Sequence, residues 1–160
     1  MRVLSCLSSS QDKFIQRIIG SLLHYARCVD PTMLVAINSI ATSRNLGLSK
    51  TYEDTVHLLN YAASNPTAII TYHKSDMILH VHSDASYLLE PKACSRIGGF
   101  FFLSDKPVDP SKPLNEAPNV APRTNGSILV ECKLLRHVVS SAAEAEIGAL
   151  FIKTRQAIPA

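Results

Sequence analysis

Apolar residues recur at intervals of three and four through the first part of the chain, then give way to short dense runs. Over residues 14–29 the stripe is Phe14, Ile15, Ile18, Ile19, Leu22, Leu23 and Ala26, the pattern of one face of an amphipathic helix. Asp12 is a candidate N-cap, and Pro31 cannot continue the helix. Asp30-Pro31 opens a second helix, with Asp30 as cap and Pro31 in the first position. Leu34, Ile37, Ile40 and Ala41 form its apolar face, and Gly47 is a suitable stop. Thr51 caps a third helix whose first turn holds Glu53 and Asp54, placed well for the helix dipole. Its stripe is Val56, Leu59, Ala62 and Ala63, and Asn65-Pro66 ends it.

Beyond residue 66 the period changes. Runs at 68–72, 77–83, 97–103 and 128–134 are short and rich in β-forming residues, and read as strands. Between the last two, residues 104–127 contain Pro107, Pro110, Pro113, Pro118 and Pro122, which predicts an extended loop. A final helix starts near Ser140 or Ser141 and reaches about Arg155, with Ile147, Leu150 and Phe151 expected on its buried side. The expectation is an α+β chain: a helical unit at 1–65, then a mixed sheet with one packed helix at 66–160.

Composition narrows this little. The 160 residues suffice for one ordinary domain or two small ones, and the apolar share of 46% is that of a globular protein. A net charge of +3 is too weak to argue nucleic-acid binding by itself. No apolar run is long enough to span a bilayer, and residues 1–10 are too short and too weakly apolar for a secretory signal. Cys6, Cys28, Cys94 and Cys132 are far apart, without zinc spacing. An intracellular chain with inert thiols, cytoplasmic or nuclear, is expected.

Two segments carry chemistry. Leu79-His80-Val81-His82-Ser83-Asp84 is a strand ending in an acid, and Ser140-Ser141-Ala142-Ala143-Glu144-Ala145-Glu146 is a helix start carrying acids. Carboxylates that converge from a strand end and a helix's first turn repel each other, so such a site awaits a hard divalent cation. Magnesium, or manganese in its place, takes oxygen ligands and keeps waters for a phosphate substrate. Two such ions stabilise both the attacking and the leaving oxygen of a phosphodiester. The bland alternatives are a turn residue for Asp84 and a capping box, Ser141-x-x-Glu144, for Glu144. Glu146 is expected to face solvent.

The order of motifs resembles the Pol polyprotein of copia-type LTR retrotransposons. Phe14-Ile-Gln-Arg-Ile-Ile-Gly20-Ser-Leu-Leu-His-Tyr25 is similar to the end of its reverse transcriptase, followed by Asp30-Pro31 and a helix, then Val56-His-Leu-Leu-Asn-Tyr-Ala62. Ser83-Asp84-Ala85, Ser95-Arg-Ile-Gly98-Gly-Phe100 and Ser140-Ser-Ala-Ala-Glu144-Ala-Glu146 resemble successive motifs of its ribonuclease H domain. The resemblance covers residues 14–152. It implies a thumb- or tether-like helical unit followed by part of a ribonuclease H-like fold. It also implies Asp84 and Glu144 as magnesium ligands and catalytic acids, an RNA–DNA hybrid as substrate, and the remainder of the polyprotein as partner. The family's third and fourth acids follow the helix, beyond Ala160, so weak or no hydrolysis is expected of this chain. The loop at 104–127 is longer than the family's pattern. Lys92, Arg96, Lys133 and Arg136 flank the candidate site in sequence and are candidates for hybrid phosphates, or simply a solvated charged surface.

Two other possibilities stand beside this. His80, His82 and Asp84 alternate onto one strand face, and "LHVHSDAS" resembles the first motif of phosphoesterases of the polymerase-and-histidinol-phosphatase type. That family needs further His and Asp ligands, of which only His137 follows. The other possibility is a non-catalytic remnant that binds nucleic acid or a partner.

Overall fold

The computed structural model describes residues 6–90, 93–106 and 123–158. Lys92 and most of the Pro-rich loop at 104–127, including all of its prolines, lie outside the described residues. The elements are α1 (Ser9–Cys28), a 3-10 turn (Pro31–Met33), α2 (Leu34–Arg44), α3 (Ser49–Ser64), β1 (Ile78–Glu90), β2 (Cys94–Ser104), β3 (Ser127–Leu134) and α4 (Ala142–Ala157). The fold is α+β, with mixed helices and one antiparallel three-stranded sheet. The chain divides into two compact units, Met1–Ile69 and Ile70–Ala160, where the sequence pattern placed the border after residue 65.

In the first unit α1 begins earlier than its apolar stripe suggests. Ser8 is the N-cap: its hydroxyl accepts from Gln11 N–H at 3.3 Å, and the Gln11 side chain accepts from Ser8 N–H at 2.9 Å. This reciprocal capping box satisfies two donors that a helix start leaves open. Asp12, expected as the cap, instead pairs with Arg44 on the last turn of α2 at 2.5 and 3.1 Å. Asp30 does cap: its carboxylate accepts from the Thr32 N–H at 3.1 Å and from the Thr32 hydroxyl at 2.5 Å. Pro31 opens the 3-10 turn, which leads into α2. Gly47, at φ +64°, takes the left-handed conformation that ends the helix, where a Cβ would be strained. α3 starts at Ser49, so Thr51 sits inside it rather than capping it. Its buried face is Thr51, Thr55 and Leu58, not the expected Val56, Leu59, Ala62 and Ala63. The Thr55 hydroxyl donates to the Thr51 carbonyl at 2.7 Å, so a polar side chain enters the core with its bond made. Ile15, Ala26, Met33, Leu34, Ile37, Ile40 and Leu58 form that core. Each large side chain among them contributes about 1.5–3 kcal/mol by leaving water.

In the second unit, residues 68–72 are not a strand, contrary to the expectation. Pro66 lacks a backbone donor, and the bonds that tie the end of the segment down run through the Tyr72 and Asn125 side chains rather than through a ladder. The Tyr72 hydroxyl donates to the Ser127 carbonyl at 2.9 Å, and the Asn125 amide clasps His73 N–H and C=O at 2.7 and 2.9 Å. The sheet order is β1-β2-β3, both pairs antiparallel. Asp84 lies opposite Gly98, which lies opposite Cys132; Ser83 lies opposite Gly99, which lies opposite Glu131. The register breaks between Ser86 and Glu90, where Leu88 has φ +53°, a bulge that re-aims the end of β1.

Helix α4 covers one sheet face. Ile97, Leu135, Val139, Ala145 and Ala149 form that core, with Ala85, Tyr87 and Ile152 against it. The expected buried residues Ile147, Leu150 and Phe151 are exposed; Ala145, Ala149 and Lys153 are buried in their place. Small residues decide this, because Ala145 and Ala149 let the helix backbone approach the sheet where Ile97 fills the gap. Among the described residues no helix is long and apolar enough to cross a membrane.

Candidate functional site

Strand alternation fixes where the candidate acid of β1 points. Ala85 and Ile97 pack under α4, and a Cβ on Gly99 would meet the Lys153 side chain of α4. Residues 81, 83 and 85 therefore face α4, and Asp84 faces the other way, exposed, on the edge strand of the sheet. It shares that face with His80 and His82, as the alternation predicted. His80 stacks on Phe102 with ring centres 5.4 Å apart, and its Nε2 is 2.9 Å from the Asp105 carbonyl oxygen. His82 meets the same ring edge-on at 4.9 Å. The histidines are thus engaged with an aromatic ring and a carbonyl rather than gathered round a common point.

Glu144 lies in the first turn of α4. Its carboxylate accepts from the Ser140 N–H at 2.7 Å and the Ser140 hydroxyl at 2.6 Å, while its own N–H donates to the Ser141 hydroxyl at 3.1 Å. These bonds favour the ionised form, and the Ser140 hydroxyl, then its N–H, hold the carboxyl below its ordinary range. Ser141 caps the helix as half of the expected box, while the Glu144 carboxylate reaches back to Ser140 rather than to the Ser141 N–H. Asp84 lies on the sheet face turned away from α4, and Glu144 lies on α4, which covers the other face. Among the described residues no group of three or more His, Cys, Asp or Glu side chains is placed to hold a metal ion. The described residues do not fit a two-ion centre.

The basic candidates separate. Arg96 is buried and committed to Glu90 by two bonds, 2.6 and 2.9 Å, with its remaining arm 3.8 Å from the Cys132 sulfur. The Arg96 pairing holds Glu90 below its ordinary pKa. Arg96 is therefore a strut for the bulged hairpin and offers nothing to a phosphate. Lys92 lies outside the described residues. Lys133 and Arg136 do come together, in adjoining clefts of about 230 and 260 Å³ beside α4. Ile152 and Lys133 line both clefts; Arg136 and His137 line one, Arg155 and Gln156 the other. Arg155 was missed from sequence, and His137 was weighed only as a metal ligand, because nothing in the pattern ties the end of α4 to the end of β3.

One carboxylate serves this region. Glu131 on β3 is 2.8 Å from Lys153 Nζ, 3.2 Å from Lys133 Nζ, and accepts from the Gln156 amide at 2.7 Å. Burial pushes its pKa up, but the bonds from Lys153, Gln156 and Lys133 outweigh burial and bring it to about 2. Among the described residues, Arg136 and Arg155 have no ion-pair partner; Arg155 lies over the Phe151 ring, 5.8 Å from its centre. No protein-family model, no curated protein and no solved structure matches this chain.

Proposed function

We propose that this chain is a segment of a copia-type reverse transcriptase–ribonuclease H, and that by itself it holds an RNA–DNA hybrid without cutting it. One observation carries the proposal. The Ser83-Asp84-Ala85 motif lies on the edge strand of an antiparallel sheet, and the next helix carries Glu144 in its first turn. That is the order of elements the resemblance implies for the first half of a ribonuclease H fold. β1 also keeps one side open among the described strands, the side on which that fold adds a parallel strand. The absence of catalysis follows from the site itself. Asp84 is on the sheet face turned away from α4, which carries Glu144, and the Glu144 carboxylate is already engaged by Ser140. A magnesium ion needs several oxygen ligands in near-octahedral positions, which these residues do not supply together.

The test is a labelled RNA–DNA hybrid, incubated with the chain in magnesium and in manganese beside Asp84→Asn, with binding read by anisotropy. Binding by both proteins and cleavage by neither is expected. Metal-dependent cleavage that disappears in Asp84→Asn would overturn the non-catalytic part. Failure to bind the hybrid would overturn the proposal as a whole.

A further inference from the structure

We infer that the two neighbouring clefts between the end of β3 and α4 are together a seat for the sugar–phosphate backbone of a nucleic acid. The inference rests on the reading that the chain handles hybrid nucleic acid, and gives that contact a place distinct from Asp84. The two clefts meet at Lys133 and Ile152, which line both, with Arg136 and His137 lining one and Arg155 and Gln156 the other. Three fixed cations spread over the two clefts suit successive phosphates better than a single one. Among the described residues, the only carboxylate ion-paired in this region is Glu131, and it is shared between Lys133 and buried Lys153. Arg136 and Arg155 are exposed and without ion pairs among the described residues, unlike Arg96 and Arg44, which are each tied to a carboxylate. Arginine free of a carboxylate presents a planar fork that matches a phosphate's oxygens.

Two further features fit a backbone. Ile152 gives an apolar floor against which a sugar ring can lie. The Gln156 amide donates to Glu131, and its carbonyl oxygen is buried with no donor among the described residues. A buried acceptor left without a donor is costly, and a sugar hydroxyl supplies one. The contacts are to phosphate and sugar, so binding is insensitive to sequence and weakens steeply with salt.

The experiment is anisotropy titration of the full chain with a labelled RNA–DNA hybrid over a range of salt, for the wild type, R136Q/R155Q and Lys50→Gln. Lys50 is exposed on α3 in the first unit, lines neither cleft, and controls for the loss of charge. The double variant is expected to bind on the order of ten-fold more weakly. Its salt slope is expected to fall by about one for each arginine removed. Lys50→Gln is expected to match the wild type, and circular dichroism verifies that every protein is folded. If the wild type binds and the double variant keeps its affinity and slope, the cleft is wrong while the hybrid-handling proposal stands. If the wild type binds no hybrid, both fall. Displacement of the hybrid by inorganic phosphate at equal phosphate concentration would make this a free-anion site and overturn the backbone assignment.

Discussion

Glu131 shows how much a residue's role depends on partners that sequence does not display. It was not singled out in advance, yet it is the counter-ion of Lys153, which is fully buried. Lys153 reaches the core because Gly99 leaves room: a Cβ there would lie 2.6 Å from its side-chain carbon. Long aliphatic stems bury well when the charged end finds a partner. The folded pKa of Glu131 is depressed from 4.5 to about 2. A depressed carboxylate contributes stability that is present above its unfolded value and is lost as pH falls through the folded one. Urea midpoints are therefore expected to fall as pH drops from about 4.5 toward 2. Glu131→Gln should flatten that fall and cost about 3 kcal/mol at neutral pH, because Lys153 is left charged and buried without its partner. Equal midpoints for the two proteins at neutral pH would refute this assignment. The candidate acids were legible as residue types in Ser83-Asp84-Ala85 and Ser141-x-x-Glu144. Their surroundings were not, because which face of β1 packs under α4 is set by tertiary contacts, and the Glu144 carboxylate turns back onto Ser140. Arg96 was misread for a similar reason: the bulge at Leu88 brings Glu90 onto it, and a bulge has no apolar pattern of its own.

At the scale of elements, α4 is the instructive case. Its existence, its Ser141 cap and its position after β3 were legible, since a capping box before an apolar run marks a helix start. Its buried face was not, because the pattern counts large apolar residues while the packing selects small ones. Two opposite predictions follow from that inversion. Ala149→Leu puts methylenes where the helix meets Ile97, and is expected to destabilise by about 1–3 kcal/mol. Leu150→Gln removes an apolar side chain that is 54% exposed, and is expected to stay within about 0.5 kcal/mol of the wild type. Denaturant unfolding of both variants decides it: the reverse ranking would mean that Ile147, Leu150 and Phe151 face the core. The strands were legible from their β-rich runs, and the run at 68–72 failed because a short apolar stretch without a ladder partner remains a loop.

At the scale of the whole molecule, the change from a helical period to short β runs marked the passage from the first unit to the second, although the border at Ile69/Ile70 falls within the run expected as a strand rather than preceding it. What no pattern could state is which strand edges stay open. The sheet order leaves β1 paired on one side among the described strands, over Ile78–Glu90, a stretch without proline. Long unpaired edges of this kind recruit strands from other molecules. The sheet's other edge, β3, is shorter, Ser127–Leu134, and carries Glu131 and Lys133. β1 is therefore the edge expected to drive association. Sedimentation velocity should show self-association that rises with protein concentration. His82 is exposed on β1, so His82→Lys sets like charges against each other when two β1 edges approach, and should shift the distribution toward monomer. Ile128→Lys makes the same change at an exposed position of β3 and should leave it nearly unaltered. If instead Ile128→Lys disperses the protein and His82→Lys does not, molecules meet through β3. Hybrid binding in the cleft beside that strand would then compete with association, and added hybrid would dissolve the assemblies.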